Sequence, residues 1–290
     1  MSPDQPQRPM KVYGVDFSSA PSASKPITCF GFQLSGGLLH SPSLLCWQDL
    51  NQFAAFLNSE GPWIAALDFP FGLPSSFVQS LGWLRQWESY VEHIGNLTLV
   101  EFMGLVDRYR CSRSRGAKQP LRTTDRQCQA LSPLMIHGIP VGRMFFEGAP
   151  RLLRSGVDVV PCRRTSHNRV AVEGYPALVA RRLIGRRSYK KGRAKLTPFE
   201  LRSNRQVLLD ALVGNRLEPI YGVRLSLEAL HAERAVLDPS GDVLDSLLCA
   251  FQAAWAFARR DRNFGVSRDC DETEGWIVDP AGCSDADADA

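Results

Sequence analysis

The stretch that most constrains the fold is WIAALD, residues 63–68, a nearly all-apolar run set between Pro62 and Pro70. It is too short for a helix and ends on an acid, so it reads as a strand buried on both faces. Such a strand belongs in the middle of a sheet covered by helices. The preceding sequence agrees. KVYGVDFS (11–18) is a β-branched and aromatic run carrying Asp16 at its end. ITCFGFQLS (27–35) and LLHSPSLLCW (38–47) follow, joined through Gly36-Gly37, a pair suited to a tight hairpin turn. A segment opening at Gln48 or Asp49 then sets Leu50, Phe53, Ala54, Phe56 and Leu57 on one helical side. The order strand, strand, strand, helix, strand predicts an antiparallel meander followed by a crossover to a further strand, in an α/β fold.

Downstream, residues 77–109 look helical, whereas 110–126 are polar, basic and rich in helix breakers, which predicts a surface loop or insertion. FFEGAPRLLRSG (145–156) predicts a short helix stopped by Gly156. VDVVPC (157–162) and RVAVEGY (169–175) are strand candidates, and Pro176 is placed to open the helix ALVARRLIG. Further helices are predicted at 198–213, 226–236 and 242–260. There is no repeat and no clear linker, so residues 11–280 read as one domain between a polar leader (1–10) and an acidic tail (281–290) expected to be disordered.

Composition narrows the class. A chain of 290 residues with 44% hydrophobic and 22% charged residues can bury a sizeable core without disulfide or metal staples. The eight cysteines form no CxxC pair, which gives zinc little support, and the N-terminus lacks the plan of a signal peptide. The longest apolar stretch, 243–258, is too short and polar to span a bilayer. These features predict a cytoplasmic protein with no membrane partner and reduced thiols. The net charge of +4 is unevenly spread: eight Lys or Arg and no acid lie between Arg181 and Lys195, and eight acids follow Arg268. The basic run suits phosphates, although a solvated surface explains any single run as well.

Four acids stand out as candidate site residues. Asp16 and Asp68 each close an apolar strand just before a turn, at the carboxyl edge where α/β sheets place their sites. A lone Asp there is often only a turn former or helix cap; two in equivalent places point to function. Unpaired carboxylates that face each other repel, and a divalent cation resolves the repulsion. Glu173 follows RVAV where a strand hands over to a helix. On the helix beginning near 242, Asp242 and Asp245 are neighbours three residues apart. Asp242 suits a first-turn acid answering the helix dipole, while Asp245 lies beside the apolar stripe and is favoured, with Asp242 as its substitute. Hard oxygen ligands without His or Cys suit Mg²⁺ or Mn²⁺. Arg186, Arg187, Tyr189, Lys190 and Lys191 form the best phosphate-binding patch, with Arg113, Arg115, Lys118 and Arg122 a looser one.

GVDFS, LDFPFGLP, EGYPALVARRL and DVLDSLLCAFQAAW, in that order, resemble the family called domain of unknown function 429, with EGWI (274–277) similar to its closing motif. The resemblance implies an RNase H-like mixed sheet, with an antiparallel three-strand meander, parallel strands, flanking helices and helical insertions. It also implies that the fourth strand lies beside the first, that the acid of the last helix closes the site, and that the activity is that of a nuclease. The basic middle insertion and the helices at 198–236 depart from well-studied RNase H enzymes.

The leading expectation is thus a metal-dependent phosphodiester hydrolase acting on nucleic acid through Asp16, Asp68, Glu173 and Asp245. The alternative is a nucleic-acid or nucleotide-binding protein on the same fold without cleavage, for which the direction of Glu173 is the discriminating feature. Phosphotransfer from a nucleotide is a third reading, weakened by the lack of phosphate-binding glycine loops. A serine triad has no GxSxG support, and no cysteine is marked out as a nucleophile.

Overall fold

The computed structural model describes residues 9–192 and 195–282. Most of the leader, positions 193–194 of the basic run, and the tail with Cys283 lie outside the described residues.

Seven strands form one sheet: β1 (Met10–Asp16), β2 (Ile27–Ser35), β3 (Leu38–Trp47), β4 (Trp63–Leu67), β5 (Asp158–Val160), β6 (Arg169–Glu173) and β7 (Arg224–Leu225). Their order is β5-β6-β4-β1-β2-β3-β7. β1, β2 and β3 make the antiparallel meander, its tight turn formed at Gly36 and Gly37, which both hold positive φ. β4 lies parallel to β1, β6 parallel to β4, and β5 parallel to β6. This mixed α/β sheet flanked by helices is compatible with an RNase H-like fold. β7, two residues paired with the start of β3, falls just ahead of the helix expected at 226–236, which runs Ala229–Leu237.

Each face of the sheet carries its own apolar core. One face packs Val12, Ala66 and Val172 against the helix Asp242–Ala258. The other packs Val15, Leu67 and Ala171 against helices that include Leu50–Leu57 and Val141–Ser155. The alternation follows from the period of two in a strand.

Gly14 fixes how closely the helix Asp242–Ala258 can sit. A Cβ built at Gly14 would lie 2.0 Å from the Ser246 carbonyl oxygen and 2.2 Å from the Ala250 nitrogen. The helix backbone therefore rests directly on β1, and this contact brings the start of the helix to the end of that strand.

Residues 77–109 resolve into three helices, Ser75–Ser80, Trp87–Gly95 and Leu99–Cys111, the last started by a Thr98–Glu101 capping box. The segment 110–126 is a surface loop only in part. Residues 111–117 are exposed, but Arg122, Thr124 and Asp125 are buried, and Thr123–Cys128 is helical. Arg122 therefore does not belong to a surface basic patch. No helix among the described residues is long and apolar enough to cross a membrane.

Candidate active site

β1 and β4 run parallel with Val15 paired to Leu67, and the Asp68 amide donates to the Val15 carbonyl at 2.9 Å. This register sets Asp16 and Asp68 side by side at the carboxyl edge. Both point to the face covered by the helix Asp242–Ala258, whose Asp245 lies opposite them. One carboxylate oxygen from each of Asp16, Asp68 and Asp245 falls within 4.8 Å of the others. Asp245 is buried; Asp16 and Asp68 keep part of their surface open to a cavity of about 520 Å³.

Three carboxylates this close cannot all be charged without compensation. Burial, then the charges of Asp245 and Asp242, raise Asp16 well above the usual carboxylate range. Burial, with Asp245 next, pushes Asp68 up to about 8. Part of the compensation comes from the chain itself. The Lys190 ammonium rests on Asp245 Oδ2 and the Tyr189 hydroxyl donates to Asp245 Oδ1. Burial works against the charge of Lys190, but Asp245 and Asp16 hold its pKa above the ordinary value. One ammonium cannot balance all three groups once they ionise, and the donor set is all hard oxygen. A divalent cation of the Mg²⁺ or Mn²⁺ type fits these residues.

Glu173 is not part of the cluster. Leu67 pairs with Glu173 across β4 and β6, so Val15, Leu67 and Glu173 share one face of the sheet, while Asp16 and Asp68 project from the other. The position level with Asp68 is Gly174, one residue past the end of β6. On its own side Glu173 accepts from Arg122 twice, at 2.6 and 2.9 Å, and from the Phe71 amide at 2.9 Å. Arg122 also reaches both oxygens of Asp125 and, at 2.8 Å, the Glu274 carbonyl. Burial opposes the charge on Arg122, but Glu173 and Asp125 raise its pKa well above the usual value. This network ties the loop after Asp68 to the EGWI segment, since the Ser75 amide also donates to Glu274 at 2.6 Å and Val278 donates to the Glu173 carbonyl at 3.0 Å. Glu173 therefore anchors the backbone that carries Asp68, rather than lying with Asp16 and Asp68.

The remaining candidates separate by exposure. Asp242 lines the cavity but stands outside the group of three. Tyr189 is buried and Lys190 turns inward to Asp245, so neither is a free surface contact. Arg186, Arg187 and Lys191 are exposed. Arg181 and Arg182 of the same run are engaged inward, with the Cys128 carbonyl at 2.8 Å and Asp279 at 2.6 Å. One cavity residue carries no signal in the sequence, Arg143, near the start of the helix Val141–Ser155, and Arg122, expected in a surface patch, is instead buried at the cavity.

No curated protein and no solved structure matches the chain. A family model described as "Protein of unknown function (DUF429)" matches residues 14–264, a span that contains Asp16, Asp68, Glu173 and Asp245 and stops before EGWI. Because that span is most of its length, the chain belongs to the DUF429 family.

Proposed function

We propose that the protein is a divalent-metal-dependent phosphodiester hydrolase acting on nucleic acid. The observation that carries this reading is the convergence of Asp16, Asp68 and Asp245 within 4.8 Å at the floor of a cavity on the carboxyl edge of the central strands. These three carboxylates would hold Mg²⁺ or Mn²⁺. Bound there, such an ion supplies Lewis-acid polarisation of a phosphoryl oxygen and eases ionisation of an attacking water. The chain's own groups do the rest. Arg122 and Glu173 fix the loop that carries Asp68, and Tyr189 orients Asp245 through its hydroxyl. Lys190 balances the charge of the carboxylates and is close enough to them to meet a phosphate. Arg186, Arg187 and Lys191, exposed on the same segment, suit flanking phosphates.

A second reading, nucleotide or nucleic-acid binding without cleavage, is favoured by one specific observation. Glu173 is paired with Arg122, which leaves three acids rather than four for cations.

The test is a cleavage panel with labelled single-stranded, duplex, hybrid and branched substrates, in Mg²⁺, Mn²⁺ or EDTA, beside Asp68→Asn. Metal-dependent cleavage absent from the variant supports hydrolysis and names the substrate class. Retention of a substrate without cleavage supports the binding reading.

A further inference from the structure

The cavity above the three carboxylates has two chemically different parts. One is the acidic floor. The other is an apolar wall that includes Leu131, Ile139 and Met144. Ile139 is 55% exposed and Leu131 is 38% exposed, large apolar surface beside a cluster of charge. A volume of about 520 Å³ lies within the few hundred to roughly 1,000 Å³ typical of sites that enclose one small ligand.

Two arginines line this cavity, and they differ in availability. Arg122 is committed to Asp125, Glu173 and the Glu274 carbonyl. The Arg143 side chain has no hydrogen bond or ion pair among the described residues, and its Nε is buried without a partner. With Nε enclosed, it is the remainder of the unpaired guanidinium that is left to meet an anionic ligand in the cavity. Arg143 also sits in the first turn of the helix Val141–Ser155, whose N-terminal end opens on the cavity through Pro140 and Val141. The positive end of that helix dipole favours an anion at the same place.

Resting on the phosphodiester reading of the floor, we propose that the cavity receives a single nucleotide unit, either a mononucleotide or the terminal nucleotide of a single strand. Arg143 is the group that binds its phosphate, and the wall of Leu131, Ile139 and Met144 receives its base. A base inside a duplex reaches such a wall only after unstacking, which costs a few kcal/mol. The site therefore selects single-stranded ends over duplex interiors.

The test is equilibrium binding by calorimetry on the full chain, with Mg²⁺ and with EDTA, using dAMP, deoxyribose 5-phosphate and inorganic phosphate as probes. Arg143→Ala and Ile139→Ser are compared with the unaltered protein after circular dichroism shows both variants folded. The expected result is that dAMP binds more tightly than deoxyribose 5-phosphate. Arg143→Ala weakens both about tenfold or more, and Ile139→Ser weakens only dAMP. Equal binding of the two phosphates, unchanged binding by Arg143→Ala, or no binding of dAMP overturns the proposal. Binding is read without turnover, so the two claims fail separately. Base-dependent binding without cleavage removes hydrolysis and keeps this site. Cleavage inside duplexes without dAMP binding does the reverse.

Discussion

The guanidinium of Arg122 and the carboxylate of Glu173 face each other through two hydrogen bonds, 2.6 and 2.9 Å long, on the side of the sheet opposite Asp16 and Asp68. Both side chains are 2% exposed, so this is a fully buried ion pair. Removing the charge of Glu173 costs roughly 1–3 kcal/mol, less than orphaning a buried charge outright, because Arg122 keeps Asp125 as a buried partner. Glu173→Gln should therefore lower the free energy of unfolding by about that much in urea titration, yet leave the number of Mn²⁺ ions bound per chain unchanged. A fall in that number would make Glu173 a ligand after all.

Lys190 sits on Asp245 as an internal cation beside the acidic cluster. An ammonium there repels any divalent ion that the three carboxylates attract. Lys190→Met should tighten Mn²⁺ binding and lower the thermal midpoint measured in EDTA. The loss without metal should be about 1–3 kcal/mol, less than for orphaning a fully buried charge because the Lys190 side chain is 42% exposed. Weaker Mn²⁺ binding in the variant would show that Lys190 supports the ion rather than competing with it.

Without a cation, Asp16, Asp68 and Asp245 repel one another whenever they ionise, held as they are away from bulk water. A neutral amide in place of one of them relieves that repulsion. Asp16→Asn should unfold in EDTA at a midpoint no lower than the unaltered chain, and should gain less stability from added Mn²⁺. Calorimetric scans with and without the ion check both statements. Equal stabilisation by Mn²⁺ in the two proteins would place the ion elsewhere.

Gly14 couples the fold to the site, because the contact it permits delivers Asp245 to Asp16. Gly14→Ala forces a methyl group into the backbone of the helix Asp242–Ala258 and should cost at least about 3 kcal/mol. Gly116→Ala, where the added carbon would meet nothing within 4 Å, should stay within about 0.5 kcal/mol. Urea titrations of the two variants check the contrast.

The sheet was largely legible because its strands carry local signals. WIAALD is an apolar run closed by prolines, and Gly36-Gly37 marks a hairpin. Asp16 and Asp68 were legible for the same reason: each is the polar end of an apolar run. Glu173 looked equivalent to them, but β6 continues through Glu173 whereas β4 stops at Leu67. That one-residue offset in register turns the side chain to the other face, and register between distant strands leaves no trace in a single chain's periodicity. Arg122 was misplaced because two of its three partners are distant: Asp125 is three positions on, but Glu173 is 51 positions away and the Glu274 carbonyl 152. Tyr189 and Lys190 read as a surface patch for the same reason, since Asp245 lies more than 50 positions downstream.

The central claim, that Asp16, Asp68 and Asp245 form one cation site, is tested most directly by calorimetric titration of Mn²⁺ into the unaltered chain and Asp68→Asn. The account predicts saturable binding by the former and at least about tenfold weaker binding by the variant, a loss of roughly 1.4 kcal/mol or more. Identical titration curves for the two proteins, or no binding by the unaltered chain, would contradict it.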